Sequence, residues 1–145
     1  MIELDKLPEH LATIKQSDWK KLFDLLDEIK ATDKFGEVKG MEKLTNGSIT
    51  FPYWFSFEVV DKFLRIVRDL DITPDFEWTK WEKGRTILKN NKQDYEQFDI
   101  ITLCKFLTTI IRADRFSDGY LVSCFKNGII SKIILSIKNK VKHDG

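Results

Sequence analysis

Between Asp99 and Arg112 the chain carries Ile100, Ile101, Leu103, Cys104, Phe106, Leu107, Ile110 and Ile111, interrupted only by Thr102, Lys105, Thr108 and Thr109. A surface helix shows one apolar stripe, whereas a helix apolar around most of its circumference is buried. Threonine suits such a position because its hydroxyl can bond a carbonyl one turn back. The run predicts a central helix packed on several sides, N-capped by the Asp99 carboxylate. It should end near Arg112 to Arg115, where cations suit the negative pole of a helix. The rest of the chain has to cover it.

Two helices are predicted to follow. Ser117 is expected to cap one that carries Tyr120, Leu121, Cys124 and Phe125, and Asn127-Gly128 supplies its left-handed stop. The last turns Ile129, Ile130, Ile133, Ile134, Ile137 and Val141 inward and leaves Lys132, Lys138, Lys140 and Lys142 wet. Upstream, Ser17 begins an amphipathic helix with Trp19, Leu22, Phe23, Leu26 and Ile29 on one face. From Ser56, a second stripe of Val60, Phe63, Leu64, Val67 and Leu70 stops before Ile72-Thr73-Pro74. Trp78, Trp81, Ile87 and Leu88 mark a weaker helix, in which Gly84 costs up to about 1 kcal/mol relative to alanine.

From Phe35 to Phe55 the period changes. Asn46-Gly47 favours a tight hairpin turn, predicting paired strands near Gly36–Leu44 and Ser48–Trp54. Pro52 confines the second strand to an edge or a bulge, and two strands alone must lean on helices. The fold class is α+β, predominantly helical: about five helices around a buried central helix, with one β-hairpin packed on one side. One domain is expected over residues 1–145, with a lead-in at 1–16 and a polar tail at 139–145.

A formal net charge of +1 gives no global pull toward nucleic acid or anionic membrane, although residues 1–71 are net −3 and the remainder net +4. Cys104 and Cys124 fall on apolar helix faces, where a thiol acts as a small hydrophobe. Two interior thiols suit a reducing compartment. The polar N-terminal stretch does not read as a signal peptide, and no apolar run approaches the roughly 18 residues of a membrane span. A cytoplasmic protein is expected.

The only histidines are His10 and His143, near opposite ends, and no triad, metal-ligand spacing or phosphate-cradling glycine loop is present. No catalytic, metal or cofactor assignment follows, and enzymatic function is disfavoured. Three constellations remain. Arg112, Asp114, Arg115, Ser117 and Asp118 at the junction of the last helices could take a small anionic ligand, or Asp114 could pair with an arginine or cap the turn and so set the interhelix angle. Tyr53, Trp54, Trp78 and Trp81 could engage a protein partner or a second copy of the chain. Lys132, Lys138, Lys140 and Lys142 could contact a phosphate backbone, though the last helix begins with Ile129 and Ile130, unlike a DNA-reading helix. A binding module for a protein partner or itself is the preferred reading, with nucleic acid and anionic ligand as alternatives.

The stretches FGEVKGMEKLTNGSITFPYWFSFEVVDKF and LTTIIRADRFSDGYLVSCFKNGIISKII resemble a bacterial family of domains of unknown function. The shared features are Gly36, Gly40, Pro52, Tyr53 and Ser56, then Arg112, Asp114, Arg115, Phe116, Gly119, Gly128, Ile130 and Ile133. The resemblance covers roughly residues 20–138. Members often carry Glu before the second-half glycine and His after it, where this chain has Asp118 and Tyr120. The resemblance implies a fold class and no activity.

Overall fold

The chain begins with a 3-10 turn at Leu4–Lys6 and a short helix, α1 (Leu7–Leu11), with Pro8 in its first turn, where an amide donor is not needed. Leu7 and Leu11 are buried. Glu3 bridges Asp75 in parallel, and the Asp75 N–H donates to the Ile2 carbonyl at 2.7 Å. The expected lead-in is therefore packed against the middle of the chain. The computed structural model describes residues 1–39, 53–90 and 92–144.

The helix expected from Ser17 comes in two pieces, α2 (Gln16–Phe23) and α3 (Leu25–Lys30). Lys15, in extended conformation, takes the cap position without a side-chain bond, so Ser17 lies one residue inside. Asp24 between them keeps near-helical angles (φ −63°, ψ −22°). Trp19, Leu22 and Ile29 bury as expected, whereas Leu25 enters the core and Phe23 and Leu26, expected on the same face, are only half-buried.

Strand β1 (Gly36–Lys39) pairs antiparallel with β2 (Tyr53–Ser56), Gly36 opposite Ser56 and Lys39 opposite Tyr53. The second strand runs past the expected Trp54, and Gly40, Asn46-Gly47 and Pro52 lie outside the described residues. Ser56 thus ends a strand instead of capping a helix: α4 (Glu58–Leu70) starts behind Phe57, and the Ser56 hydroxyl donates to the Asp61 carboxylate at 2.7 Å. Val59, Val60, Phe63, Val67 and Leu70 bury, and a left-handed Asp71 (φ 53°) stops the helix where expected.

A 3-10 turn at Trp78–Lys80 precedes α5 (Glu82–Leu88). The Trp81 ring occupies the space that a Cβ on residue 84 would need. Gly84, unfavourable by propensity, is what lets the indole close down on this helix.

Helix α6 (Ile100–Asp114) is the central helix, and the Asp99 carboxylate accepts from the Thr102 N–H at 2.7 Å. Leu103, Cys104, Phe106, Leu107 and Ile110 are fully buried. Thr108 and Thr109 are buried as well, their hydroxyls donating to the carbonyls of Pro74 (3.0 Å) and Lys105 (2.9 Å). Packed on α6 are α7 (Tyr120–Lys126) and α8 (Ile129–Asp144).

Gly119 (φ 88°), not Ser117, precedes α7. That backbone is left-handed, which a glycine adopts without strain. Gly128 (φ 86°) turns the chain into α8, and the Asn127 side-chain oxygen accepts from the Ile129 N–H at 3.1 Å. The expected polar tail is helical as far as Asp144 and buries Val141. The α7–α8 pair bends by 69°, and among the described residues no single helix is long and apolar enough to cross a membrane. The architecture is mostly helical, as expected, with more helices than the five or so predicted around the central one, because α1 forms in the lead-in and the helix from Ser17 is divided at Asp24.

Candidate functional site

The junction between α6 and α7 does not gather its five polar residues at one point. Asp114 points its carboxylate across the turn, where Oδ1 accepts from the Leu121 N–H at 2.9 Å, satisfying a free donor in the first turn of α7. Arg112 instead reaches the N-terminus, with Nη2 against the Met1 sulfur. Arg115, Ser117 and Asp118 are exposed. Asp114 and Asp118 face a small cleft of about 80 Å³ beside Ser56 and Val60, whereas Ser117 faces a different and larger groove.

That larger groove, about 300 Å³, runs between α5 and the α6–α7 turn. Leu88 and Thr109 are buried at its base, with Ala113 beside them. Aromatic rings wall it: Trp78, Tyr120 and Phe116, the last 82% exposed. Trp78 and Phe116 contact each other at 6.0 Å between ring centroids, inclined by 41°. Arg85, in the last turn of α5, and Lys89, at its C-cap, are exposed and edge the opening.

Tyr120 is half-buried, and behind it stand Cys124 and Tyr95. The Tyr120 hydroxyl is hydrogen-bonded to the Cys124 sulfur. Burial pushes the Tyr120 phenol up and raises the Cys124 thiol to about 11, with the Asp114 carboxylate adding to the latter. Burial likewise pushes Tyr95 up to about 12, and its hydroxyl has no hydrogen-bond partner among the described residues. Cys104 is raised to about 12 by burial. Near neutral pH these groups stay protonated, so the groove presents apolar and π surfaces with a cationic edge, not an activated thiolate.

The remaining expected site residues fall elsewhere. Trp81 is half-buried against Phe106 and Phe76, with Lys105 Nζ 4.3 Å from its ring centroid; desolvation lowers the Lys105 pKa. Tyr53 and Trp54 contribute backbone to β2, opposite Lys39 and Val38, and their side chains lie outside the described residues. The α8 lysines do not form one free stripe. Lys140 Nζ donates to the Glu96 carbonyl at 2.8 Å, while Lys138 and Lys142 are exposed together and Lys132 is exposed two turns away. The Glu96 carboxylate accepts from Ser136 (3.0 Å) and Asn139 (2.8 Å), fastening the segment before α6 to α8.

Phe116, Tyr120, Arg85 and Lys89 were not singled out together by sequence reasoning. An aromatic set in the polar turn Arg-Phe-Ser-Asp-Gly was the available signal for Phe116. Nothing in the sequence places α5 opposite it.

Fold and groove together define a mostly helical domain with one aromatic-walled groove between α5 and the α6–α7 turn, and with no cluster of metal ligands among the described residues. The chain belongs to the Family of unknown function (DUF6508), which matches residues 14–143. The resemblance read over 20–138 therefore extends nearly to both ends. No curated protein and no solved structure matches the chain.

Proposed function

We propose that the protein is a non-enzymatic interaction module that docks a protein partner in the groove between α5 and the α6–α7 turn. The observation that carries this reading is Phe116, 82% exposed yet in contact with Trp78. Leaving a phenylalanine in water forgoes about 1.5–3 kcal/mol of burial, which a partner recovers by covering it. A volume of about 300 Å³ is at the small end of the range for small-molecule sites, roughly 300–1,000 Å³. It accommodates one or two side chains, and a projecting ring at its mouth fits a protein surface better than an enclosed ligand.

The same reading takes β1 and β2 as the arms of one hairpin. It places the protein in the cytoplasm, where buried and protonated Cys104 and Cys124 would stay reduced.

The test uses single side chains as probes. Titrating isotope-labelled protein with N-acetyl-tryptophanamide and N-acetyl-leucinamide should shift amide resonances at Trp78, Ala113, Phe116 and Tyr120. Phe116→Ala should remove those shifts while keeping the rest of the spectrum. Shifts centred elsewhere, or undiminished in Phe116→Ala, would overturn the reading.

A further inference from the structure

The groove's edge specifies more than an apolar occupant. Arg85 Nη1 donates to the Thr79 carbonyl at 2.9 Å, which leaves the rest of the guanidinium facing outward. Neither Arg85 nor Lys89 is in an ion pair among the described residues, although Lys80 on the neighbouring turn is neutralised by Glu77 at 3.1 Å. A cation at the end of α5 is accounted for by the helix dipole. Arg85, in its last turn, and Lys89, at its C-cap, both meet that description, yet neither has a carboxylate partner among the described residues. The two charges therefore border the aromatic groove without a carboxylate to answer them.

We infer that the groove takes an acidic, extended peptide segment: a large apolar side chain seated against Trp78 and Phe116, flanked by carboxylates that pair with Arg85 and Lys89. This rests on the docking role proposed above and names the class of partner. Residues four apart on a helix project side chains about 5–6 Å from each other. Alternate residues of an extended chain point the same way at a spacing of about 6.6 Å. Carboxylates two residues apart in the partner thus match Arg85 and Lys89, and the guanidinium fork offers one of them a paired bond. The charges also steer the encounter, since opposite potentials raise association rates and discriminate against basic segments.

A displayed library of random dodecapeptides, selected on the intact protein, tests this directly. The enriched sequences should combine a large apolar residue with Asp or Glu at alternate positions. A synthetic peptide of the enriched sequence should bind about tenfold more tightly than its Asn/Gln isostere, and added salt should narrow that gap. The double variant Arg85→Glu/Lys89→Glu should invert the preference toward a lysine-substituted peptide, and Arg85→Gln/Lys89→Gln should abolish the preference without inverting it. Equal binding of the isostere would overturn the acidic class and leave the groove reading standing. Enrichment that persists on Phe116→Ala, or no enrichment at all, would overturn both. Duplex DNA that displaces the peptide at equal affinity and depends on Arg85 and Lys89 would overturn the inference in favour of a nucleic-acid edge.

Discussion

The Asp114 carboxylate accepts a hydrogen bond from the Leu121 N–H at 2.9 Å, so the last residue of the central helix caps the next one. An aspartate at this point of the sequence invites an ion-pair reading with Arg112 or Arg115, but the partner is backbone. Asp114→Ala should therefore cost about 1–2 kcal/mol, the usual worth of a cap. Asp114→Asn should recover most of the loss, because an amide oxygen accepts from N–H as a carboxylate does. Urea denaturation of both variants checks this: an Asn variant as weak as the Ala variant would restore the arginine pairing.

Gly84 offers a test with the opposite sign to propensity. At an exposed helix position Gly→Ala stabilises by roughly 0.5–1 kcal/mol. Here the added methyl would enter the Trp81 ring, which is held between Phe76 and Phe106 and cannot swing away freely. Gly84→Ala should destabilise by about 1–3 kcal/mol, in the range for overpacking, and shift tryptophan emission. A higher melting midpoint would show that the ring moves at little cost.

Helices α6 and α8 were legible because periodicity reports burial: every apolar residue expected inward on α8 is buried. Asp99 was legible as a cap because no competing element claims it. Ser17, Ser56 and Ser117 had the same local chemistry and failed. The strand pairing extends through Ser56, a left-handed Gly119 displaces Ser117, and α2 begins one residue before Ser17. The groove was invisible for a different reason. Trp78 and Arg85 are brought to Phe116 only by the way α5 lies on α6, and sequence patterns carry face but not neighbour. Of its aromatic constituents only Trp78 was read as a candidate site residue, and of the polar cluster at the junction only Ser117 lines the groove.

Alkaline pH should weaken the fold. Burial raises the thiols of Cys104 and Cys124 and the phenols of Tyr95 and Tyr120 above their ordinary values of 9.0 and 10.0. In the window above pH 9 the unfolded chain releases protons that the folded chain retains, so the unfolding free energy falls as pH rises. Below the unfolded values these groups contribute their full stability. Lys105 acts in the opposite sense, since its pKa is lowered from 10.5, but it is one group against four. Urea melts at about pH 8 and about pH 10.5 should show the loss, and Cys124→Ala should flatten the slope. Equal midpoints at both values would mean that these groups are better solvated than their burial implies.

Phe116 and Phe106 lie ten residues apart and should respond in opposite ways to the same substitution. Phe106 is fully buried, with Trp81, Tyr95 and Phe98 rings around it at 5.0–5.3 Å. Phe106→Ala removes those contacts and leaves a cavity, which costs about 3–5 kcal/mol. Phe116 is 82% exposed, and among the described residues its one ring contact is with Trp78, at 6.0 Å between centroids. Surface changes of this kind stay within about 0.5 kcal/mol, so Phe116→Ala should melt as the wild type does. Calorimetry on the two variants separates a ring kept for packing from one kept for contact with something else. If Phe116→Ala destabilised the fold as Phe106→Ala does, the ring would be structural and the docking role would lose its anchor.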